Sequence, residues 1–439
     1  MRFRFDPEHE ELRRAVRRFF ADLADEAALR RDMATEAGWD PAVWRRVCDE
    51  LELPALAVPE EHGGAGFGLV ELGIALGEAG RVLLCGPLLS TSIAIQALLA
   101  ADDPDAAAAH LPGLAAGTTI GTLAAREPGR DWDAAPATRA TPGNDGWTLT
   151  GRKDWVLDGH TAQLLIVTAT AGTDVTKVTD VTDVTAEGPA TSLFLVDAGA
   201  AGLSARPLDT VDPTRKAADV TFDATPATLL GTVGGGDEPL RRTLDRAVTL
   251  LAAEQVGVAQ ACLQTATAYA GQRHQFGRPI GSFQAIKHKL ADVLLEVEAA
   301  QAAAMYATWA ADNRPDELAE AACIAGVTCS EAALLAAGES IQVHGGMGVT
   351  WEHSAHLFLK RATASRLLLR SPAQHLDRLA RLTGIDHAFP PGPAAGPAPG
   401  TEVTANGHLT ADGHLTANGH VTADGAGQRG LTTPAAVAS

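Results

Sequence analysis

The sequence predicts an α+β multidomain protein in which a β-rich block separates two helical blocks. The chain has 439 residues and is 46% hydrophobic, which is enough for more than one packed layer or core. Short β-type runs cluster between residues 118 and 236, and helical patterns fill the regions on either side. Because the strands are clustered, a separate β layer is favoured over alternating βαβ units.

The first block, residues 1–117, has the signals of an N-terminal helical domain. Asp6-Pro7-Glu8 supplies an N-cap, a proline at the first helical position and an acidic first turn. Further helices are expected over residues 69–83 and 91–100. Met1 leads directly into a charged amphipathic helix, so no secretory leader is expected.

The middle block, residues 118–236, reads as a β-domain. Its strand-like runs, at 147–150, 164–167, 192–196 and 218–222, are separated by Gly, Pro and Asp. The Val-Thr-Asp near-repeat at 173–187 is interpreted as an inserted loop without chemistry of its own.

The third block, residues 237–384, is helical again. An apolar stripe at helical spacing is formed by Ile286, Leu290, Val293, Leu294 and Val297. Several alanine-rich stretches are apolar nearly all round, as expected for a buried four-helix bundle.

The tail, residues 385–439, opens with a Pro/Gly/Ala linker and continues as a six-residue repeat. Such low complexity cannot bury a core, so the tail is predicted to be disordered. His408, His414 and His420 recur at period six and could chelate a metal, but a solvated tail is the favoured interpretation. No metal site is predicted.

Charge and cysteine usage restrict the classes of partner. A net charge of −19 argues against binding to nucleic acid or to an anionic membrane. No uninterrupted apolar run reaches about 20 residues, so a spanning helix is not expected. The five cysteines are odd in number and scattered through apolar helical stretches, which is typical of reduced thiols in a cytoplasmic protein.

Two motifs in the third block point to a cofactor site. Arg-His-Gln-Phe-Gly-Arg-Pro-Ile at 273–280 and the segment at 342–352 each interrupt a helical run, and their glycines let the backbone approach a ligand. The second motif ends in Glu352. We expect Thr350 to cap the next helix and to place Glu352 in its first turn, where the helix dipole favours an anion. These features predict an anionic cofactor with a base beside it.

The blocks and motifs together resemble the acyl-CoA dehydrogenase family over residues 5–382. The shared segments include Leu-Ala-Val-Pro-Glu-Glu-His-Gly-Gly at 56–64 as well as the two motifs above. Trp351-Glu352-His353 is similar to a subgroup common among actinobacterial homologues. The resemblance implies an N-terminal helical domain, a middle β-barrel-like domain and a C-terminal four-helix bundle. It also implies a flavoprotein oxidoreductase that carries out FAD-dependent α,β-desaturation of an acyl-CoA, as in lipid metabolism.

The resemblance also implies roles for individual residues. Glu352 would take the α-proton while flavin N5 takes the β-hydride. The implied FAD contacts are Arg273 and Phe276 from an adjacent subunit, together with Gln342, Gly345, Gly346 and Trp155. Arg215 would contact the CoA side of the substrate, and Asp245 and Glu254 are reserve candidates for the base. His344 is interpreted as a packed or capping side chain.

The middle block departs from the family pattern at three positions. Where relatives have Thr and Ser in Thr-Glu-Pro-Gly-x-Gly-Ser-Asp, this chain has Arg126 and Trp132. Leu157 replaces a hydroxyl residue that donates a hydrogen bond to the flavin. These departures put binding of FAD by this block in doubt.

Three assemblies or activities therefore stay open. The leading expectation is a homotetramer that passes electrons to an electron-transfer flavoprotein. The alternative is a heterotetramer with a sister dehydrogenase, in which Arg273 and Phe276 complete the partner's FAD site. A flavin monooxygenase of secondary metabolism with the same fold is the third.

Overall fold

The computed structural model describes residues 5–23, 25–143, 146–171 and 190–385. The near-repeat at 173–187 and the histidines of the tail lie outside the described residues.

The N-terminal block is helical, as predicted. Its helices are α1 (Pro7–Leu23), α2 (Glu26–Ala34), α3 (Pro41–Leu51), α4 (Leu69–Arg81), α5 (Leu88–Ala100) and α6 (Pro104–Ala115). Asp40 and Asp103 cap α3 and α6, and each is followed by a proline at the first helical position. The helix start predicted at Pro7 is confirmed. Nearly every residue of α5 is buried, so this helix forms the centre of the block.

The middle block is a barrel-like sheet. Its strands are β1 (Gly121–Ala124), β2 (Arg139–Gly143), β3 (Gly146–Leu157), β4 (Leu164–Ala171), β5 (Thr191–Asp197), β6 (Leu203–Pro207) and β7 (Ala217–Leu230). Following the pairings from β4 through β2, β3, β7 and β5 leads back to β4, so the sheet closes on itself. Leu149, Val167, Phe194 and Phe222 are buried inside it.

The C-terminal block is the predicted helical bundle. Its helices are α7 (Asp237–Gln272), α8 (Gln284–Asn313), α9 (Leu318–His344), α10 (Ala355–Ser365) and α11 (Pro372–Thr383). A short hairpin of β8 (His274–Gln275) and β9 (Arg278–Pro279) connects α7 to α8. Alanines line the contacts between α7, α8 and α9, which lets these helices pack closely.

The apolar stripe predicted on α8 is only partly buried. Val293 and Val297 are in the core, whereas 46% of Leu294 is exposed. Among the described helices, α9 with the turn that follows it (Leu318–Val349) is long and apolar enough to cross a membrane. However, 61% of its most apolar window is buried inside the fold, as in the core helix of a bundle.

Candidate functional site

Trp155 is presented at the surface by an irregularity in β3. The pairing of β3 with β7 shifts register between Lys153 and Val156, as at a β-bulge. Trp155 has a left-handed backbone angle, φ 54°, and 39% of the residue is exposed. A bulky residue held in this conformation indicates a functional constraint.

A cavity of about 320 Å³, called the cleft below, opens beside Trp155. Its walls are Arg126, Arg130, Asp131, Trp132, Trp155, Thr210, Val211, Thr363, Ala364, Leu367, Leu368 and Gln374. They come from the middle block and from the end of α10 and the start of α11. The cleft therefore lies between the barrel and the bundle and has the volume of a ligand site.

The loop that forms one wall of the cleft, residues 126–133, is anchored by a buried ion pair. Lys153 is fully buried and donates to Glu127 at 2.7 Å, to Thr168 at 2.9 Å and to the carbonyl of Ala125 at 3.3 Å. Burial opposes ionisation of Glu127, but Lys153 and Thr138 hold its pKa at about 2. At the other end of the loop, Arg370 donates to Asp133 at 2.7 Å.

The three departures from the family pattern all lie at or near the cleft. Arg126 is bound to Asp154 at 3.1 Å. Trp132 is buried in the core and fills space at the wall of the cleft. Leu157 is buried and brings no hydroxyl group to this surface.

Two smaller cavities continue from the cleft into the protein. The neck shares Trp155, Thr210, Ala364 and Leu368 with the cleft and is further lined by Leu157 and Arg215. The inner pocket shares Leu157 and Arg215 with the neck. Its other lining residues are apolar or glycine at Gly38, Leu76, Ala79, Leu84, Gly86, Leu88 and Leu89, and polar or charged at Ser90, Asp158, Thr214, Lys216, Glu254 and Arg361. The volumes of the neck and of the inner pocket are each about 20 Å³, which is little more than one water molecule needs.

Arg215 is mostly enclosed between the middle block and the bundle and is not an open surface residue, with 13% of its side chain exposed. Its guanidinium donates to Glu254 and, at 3.0 Å, to Ser365, and its contact with CoA stays a prediction. Arg361 joins the same network by donating to Glu254 at 2.8 Å and to Asp212 at 2.9 Å. The sequence did not reveal this network because its members come from three separate segments.

Glu254 and Asp245 both form ion pairs with arginines, so neither carboxylate is free to act as a base. Burial favours the neutral form of Glu254, but Arg215 and Arg361 hold its pKa below the ordinary value. Arg378 donates to both carboxylate oxygens of Asp245. A carboxylate stabilised in this way is a poor proton acceptor.

Asp158 and Ser90 are site residues that the sequence reasoning missed. Asp158 lines the inner pocket and accepts a hydrogen bond of 2.7 Å from Ser90. Burial raises the pKa of Asp158, and the bond from Ser90 offsets that rise only in part. Asp158 could have been predicted from the sequence, because it directly follows the Trp155-Val156-Leu157 triplet.

The first cofactor motif forms an exposed hairpin at the end of α7. Arg273 is the C-terminal residue that caps α7 and is exposed. Phe276 and Gly277 both have positive φ, 52° and 78°, as in the tight turns that join two-residue hairpins. Phe276 is 91% exposed, which is unusual for an ordered phenylalanine and indicates a contact surface.

The second motif lies at the same end of the bundle. His344 is buried against Tyr269 of α7, with ring centroids 4.5 Å apart, and so is packed as expected. Gln342, Gly345 and Gly346 are exposed, and a Cβ atom on either glycine would meet open space. Gly348 instead packs against α9, where a Cβ would lie 2.9 Å from the carbonyl oxygen of Ile341.

Glu352 is not in the first turn of a helix. The hydroxyl of Thr350 donates back to the carbonyl of Met347 at 2.9 Å, and α10 begins only at Ala355. Ser354 is the N-cap residue of α10, and Nδ1 of His353 accepts a hydrogen bond from the Ala355 amide in the first turn. Glu352 is exposed in the preceding turn and lines neither the cleft, the neck nor the inner pocket.

The predicted site residues therefore fall into two groups. One group, at the bundle end, is Arg273, Phe276, Gln342, Gly345, Gly346 and Glu352. The other, around the cleft and neck, is Trp155 and Arg215. Glu254, which binds Arg215, is nineteen residues from Arg273 along α7, or roughly 28 Å at the rise of an α-helix. The bundle end offers open glycines, an arginine and an aromatic ring, which suit a phosphate group attached to an aromatic base.

Family models match two parts of the chain. Residues 6–118 match the acyl-CoA dehydrogenase N-terminal domain, and residues 234–371 match the acyl-CoA dehydrogenase C-terminal domain. Acyl-CoA dehydrogenase IpdE2 of Mycobacterium tuberculosis is 38% identical over 85% of this chain and 96% of that relative. The probable acyl-CoA dehydrogenase YngJ of Bacillus subtilis is 31% identical over 82% of this chain and 94% of that relative.

Solved structures give the same result. A variant of the Tcur3481-Tcur3483 steroid ACAD is 34% identical, with a TM-score of 0.76 over 87% of this chain and 99% of that chain. The ChsE4-ChsE5 complex from Mycobacterium tuberculosis is 25% identical, with a TM-score of 0.77 over 89% of this chain and 100% of that chain. The chain therefore belongs to the acyl-CoA dehydrogenase family of oxidoreductases that act on acyl-CoA.

Proposed function

We propose that this chain is one subunit of an FAD-dependent acyl-CoA dehydrogenase that desaturates an acyl thioester between its α and β carbons, in a heteromeric assembly with a sister chain. Leu157 and Trp132 at the cleft carry the proposal of a sister chain, because neither side chain offers the hydroxyl group that relatives present to the flavin there. The separation of Arg273 from Glu254, roughly 28 Å along α7, supports a site that a second chain completes.

The bundle end supplies the half-site that this chain contributes. The Arg273 guanidinium would pair with the diphosphate of FAD, and Phe276 would pack on the cofactor. The open backbone at Gly345 and Gly346 would come close to the phosphates. FAD supplies the hydride acceptor when it is bound, and an electron-transfer flavoprotein is the expected electron acceptor.

The cleft of this chain supports the placement of the flavin ring on the sister chain. Leu157 has no hydrogen bond to offer, and Trp132 occupies wall space that a serine would leave open. The carboxylates that line the three cavities, Asp131, Asp158, Asp212 and Glu254, all accept hydrogen bonds from other side chains. Two of the similar structures bear paired names, ChsE4-ChsE5 and Tcur3481-Tcur3483, which supports an assembly of two different chains.

The proposed location is the cytoplasm. All five cysteines are free and buried, as is typical of proteins kept in a reducing compartment.

Anaerobic titration of the co-purified pair with straight-chain, branched and steroid-side-chain acyl-CoAs tests the proposed activity. We expect at least one thioester to bleach the flavin absorbance and to yield the α,β-unsaturated product. If no thioester bleaches the flavin-loaded pair, and the pair instead consumes oxygen and hydroxylates a substrate, the protein is a flavin monooxygenase.

A second candidate is a homotetramer in which Glu352 is the base. It is favoured by the exposed position of Glu352 at the same bundle end as Gly345 and Gly346, where it could face a neighbouring copy. If Glu352 takes the α-proton, Glu352→Gln in a homogeneous, flavin-loaded protein slows bleaching by about a hundredfold or more. Bleaching at the original rate in this variant would reject the second candidate.

A further inference from the structure

Arg215 separates two cavities that differ in size and in chemistry. The cleft has a volume of about 320 Å³ and opens to the surface beside Trp155. The inner pocket has a volume of only about 20 Å³. It is lined by leucines of α4, α5 and the segment between them together with charged side chains, among them Asp158, Lys216 and Arg361. Arg215 and Leu157 line both the inner pocket and the neck, so these two side chains stand between the cleft and the leucines.

We propose that the ion pair between Arg215 and Glu254 is a plug that closes the acyl pocket of this chain. The leucines that form part of the inner pocket suit an aliphatic chain, which is the apolar part of an acyl thioester. The cleft opens to the surface, where the polar remainder would lie. Arg215 lines the neck and the inner pocket, and Glu254, which lines the inner pocket, holds Arg215 in place.

The surrounding contacts keep the plug closed. Arg215 also donates to Ser365 at 3.0 Å, and Glu254 also accepts from Arg361 at 2.8 Å. An acyl chain that entered would have to separate this buried pair and leave charges without partners, which costs more than burying a few methylene groups gains. Arg215 and Glu254 thus determine specificity by exclusion.

The same network allows the plug to be removed without leaving an unpaired charge. Arg215→Ala with Glu254→Ala deletes one cation and one anion, and Arg361 keeps its bonds to Asp212 and Thr214. Arg378→Ala with Asp245→Ala is the matched control, because it deletes a buried ion pair that lines none of the three cavities.

The experiment compares binding of CoA and butanoyl-CoA by calorimetry, with the full chain alone. We expect the original chain and the control variant to bind the two ligands within about twofold of each other. In the Arg215→Ala/Glu254→Ala variant butanoyl-CoA should bind about tenfold more tightly than CoA, because two or more apolar carbons become buried.

The inference is overturned if the folded double variant shows no preference for butanoyl-CoA, or if the original chain already prefers it tenfold. Where circular dichroism shows that the double variant is unfolded, Arg215→Ala alone is measured, since Glu254 then keeps Arg361. If neither variant folds, a tenfold preference of the original chain for butanoyl-CoA still overturns the inference. The result is independent of whether a sister chain completes an FAD site, since no flavin or partner enters the measurement.

Discussion

Glu254 lies in the middle of α7 and Arg273 caps its C-terminal end, so one rigid helix holds them roughly 28 Å apart. Glu254 belongs to the buried network beneath the cleft, whereas Arg273 is exposed in a hairpin turned towards solvent. In the proposed heteromer, α7 would connect two half-sites that serve different chains.

Arg273→Ala in the assembled enzyme should weaken FAD binding by about tenfold to a hundredfold, since a charged hydrogen bond contributes about 1.5–3 kcal/mol. The thermal stability of the flavin-free assembly should stay unchanged because Arg273 is exposed. Titration of the flavin-free assembly with FAD measures the effect, and Arg18→Ala on the exposed face of α1 is the control. Equal FAD affinity in the Arg273 and Arg18 variants would count against the assigned role.

Lys153→Met should destabilise the protein by about 3–5 kcal/mol, because it leaves the Glu127 carboxylate buried without its buried cation, and the half-exposed Arg130 is 3.8 Å away. Adding Glu127→Gln removes that charge and should recover much of the loss. Unfolding in urea gives both values. If the single variant is as stable as the double variant, the ion pair does not anchor the wall of the cleft.

Gly257→Ala should disrupt the crossing of α4 and α7. A Cβ atom at this position would lie 1.8 Å from the carbonyl oxygen of Gly77, so the two helices would have to move apart, at a cost of about 1–3 kcal/mol or more. Gly338→Ala is the matched control within a helix, because its Cβ meets open space, and it should stabilise by about 0.5–1 kcal/mol. The melting temperatures of the two variants should change in opposite directions, and a shared direction would argue against the close crossing.

His375 should make the protein less stable as the pH falls from 7 to 5. Burial, together with Arg370 and Arg378, lowers the pKa of His375 to about 4 from an ordinary value of 6.5. Between these two values the unfolded chain binds the proton and the folded chain does not, so acid favours unfolding. His375 should account for about 2 kcal/mol of loss between pH 7 and 5. His375→Gln should flatten the dependence of the unfolding free energy on pH over this range, and an unchanged slope would contradict the assignment.

Periodicity and turn signals in the sequence predicted most of the fold. The helix expected at 69–83 is α4 (Leu69–Arg81), and the run at 164–167 begins β4 (Leu164–Ala171). These elements were predictable because apolar spacing and caps act over a few residues. The boundaries between the blocks stay predictions.

Long-range pairing and local hydrogen bonds limited what the sequence could tell about the site. Arg215 was expected at the surface, but its partner Glu254 lies on another block, and spacing alone does not reveal such a pair. Glu352 was expected in a helix, but the hydroxyl of Thr350 bonds backwards instead of capping α10. The exposure of Phe276 likewise depends on the turn at Phe276 and Gly277, where both residues have positive φ.

The flavin content of the purified full-length protein, alone and after co-expression with a sister acyl-CoA dehydrogenase chain encoded beside it, tests the central claim most directly. The proposed heteromer predicts a colourless protein when this chain is purified alone, and a yellow complex with one FAD for each pair when the two chains are together. A protein that holds one FAD per chain without any partner, and that an acyl-CoA bleaches, would contradict the account.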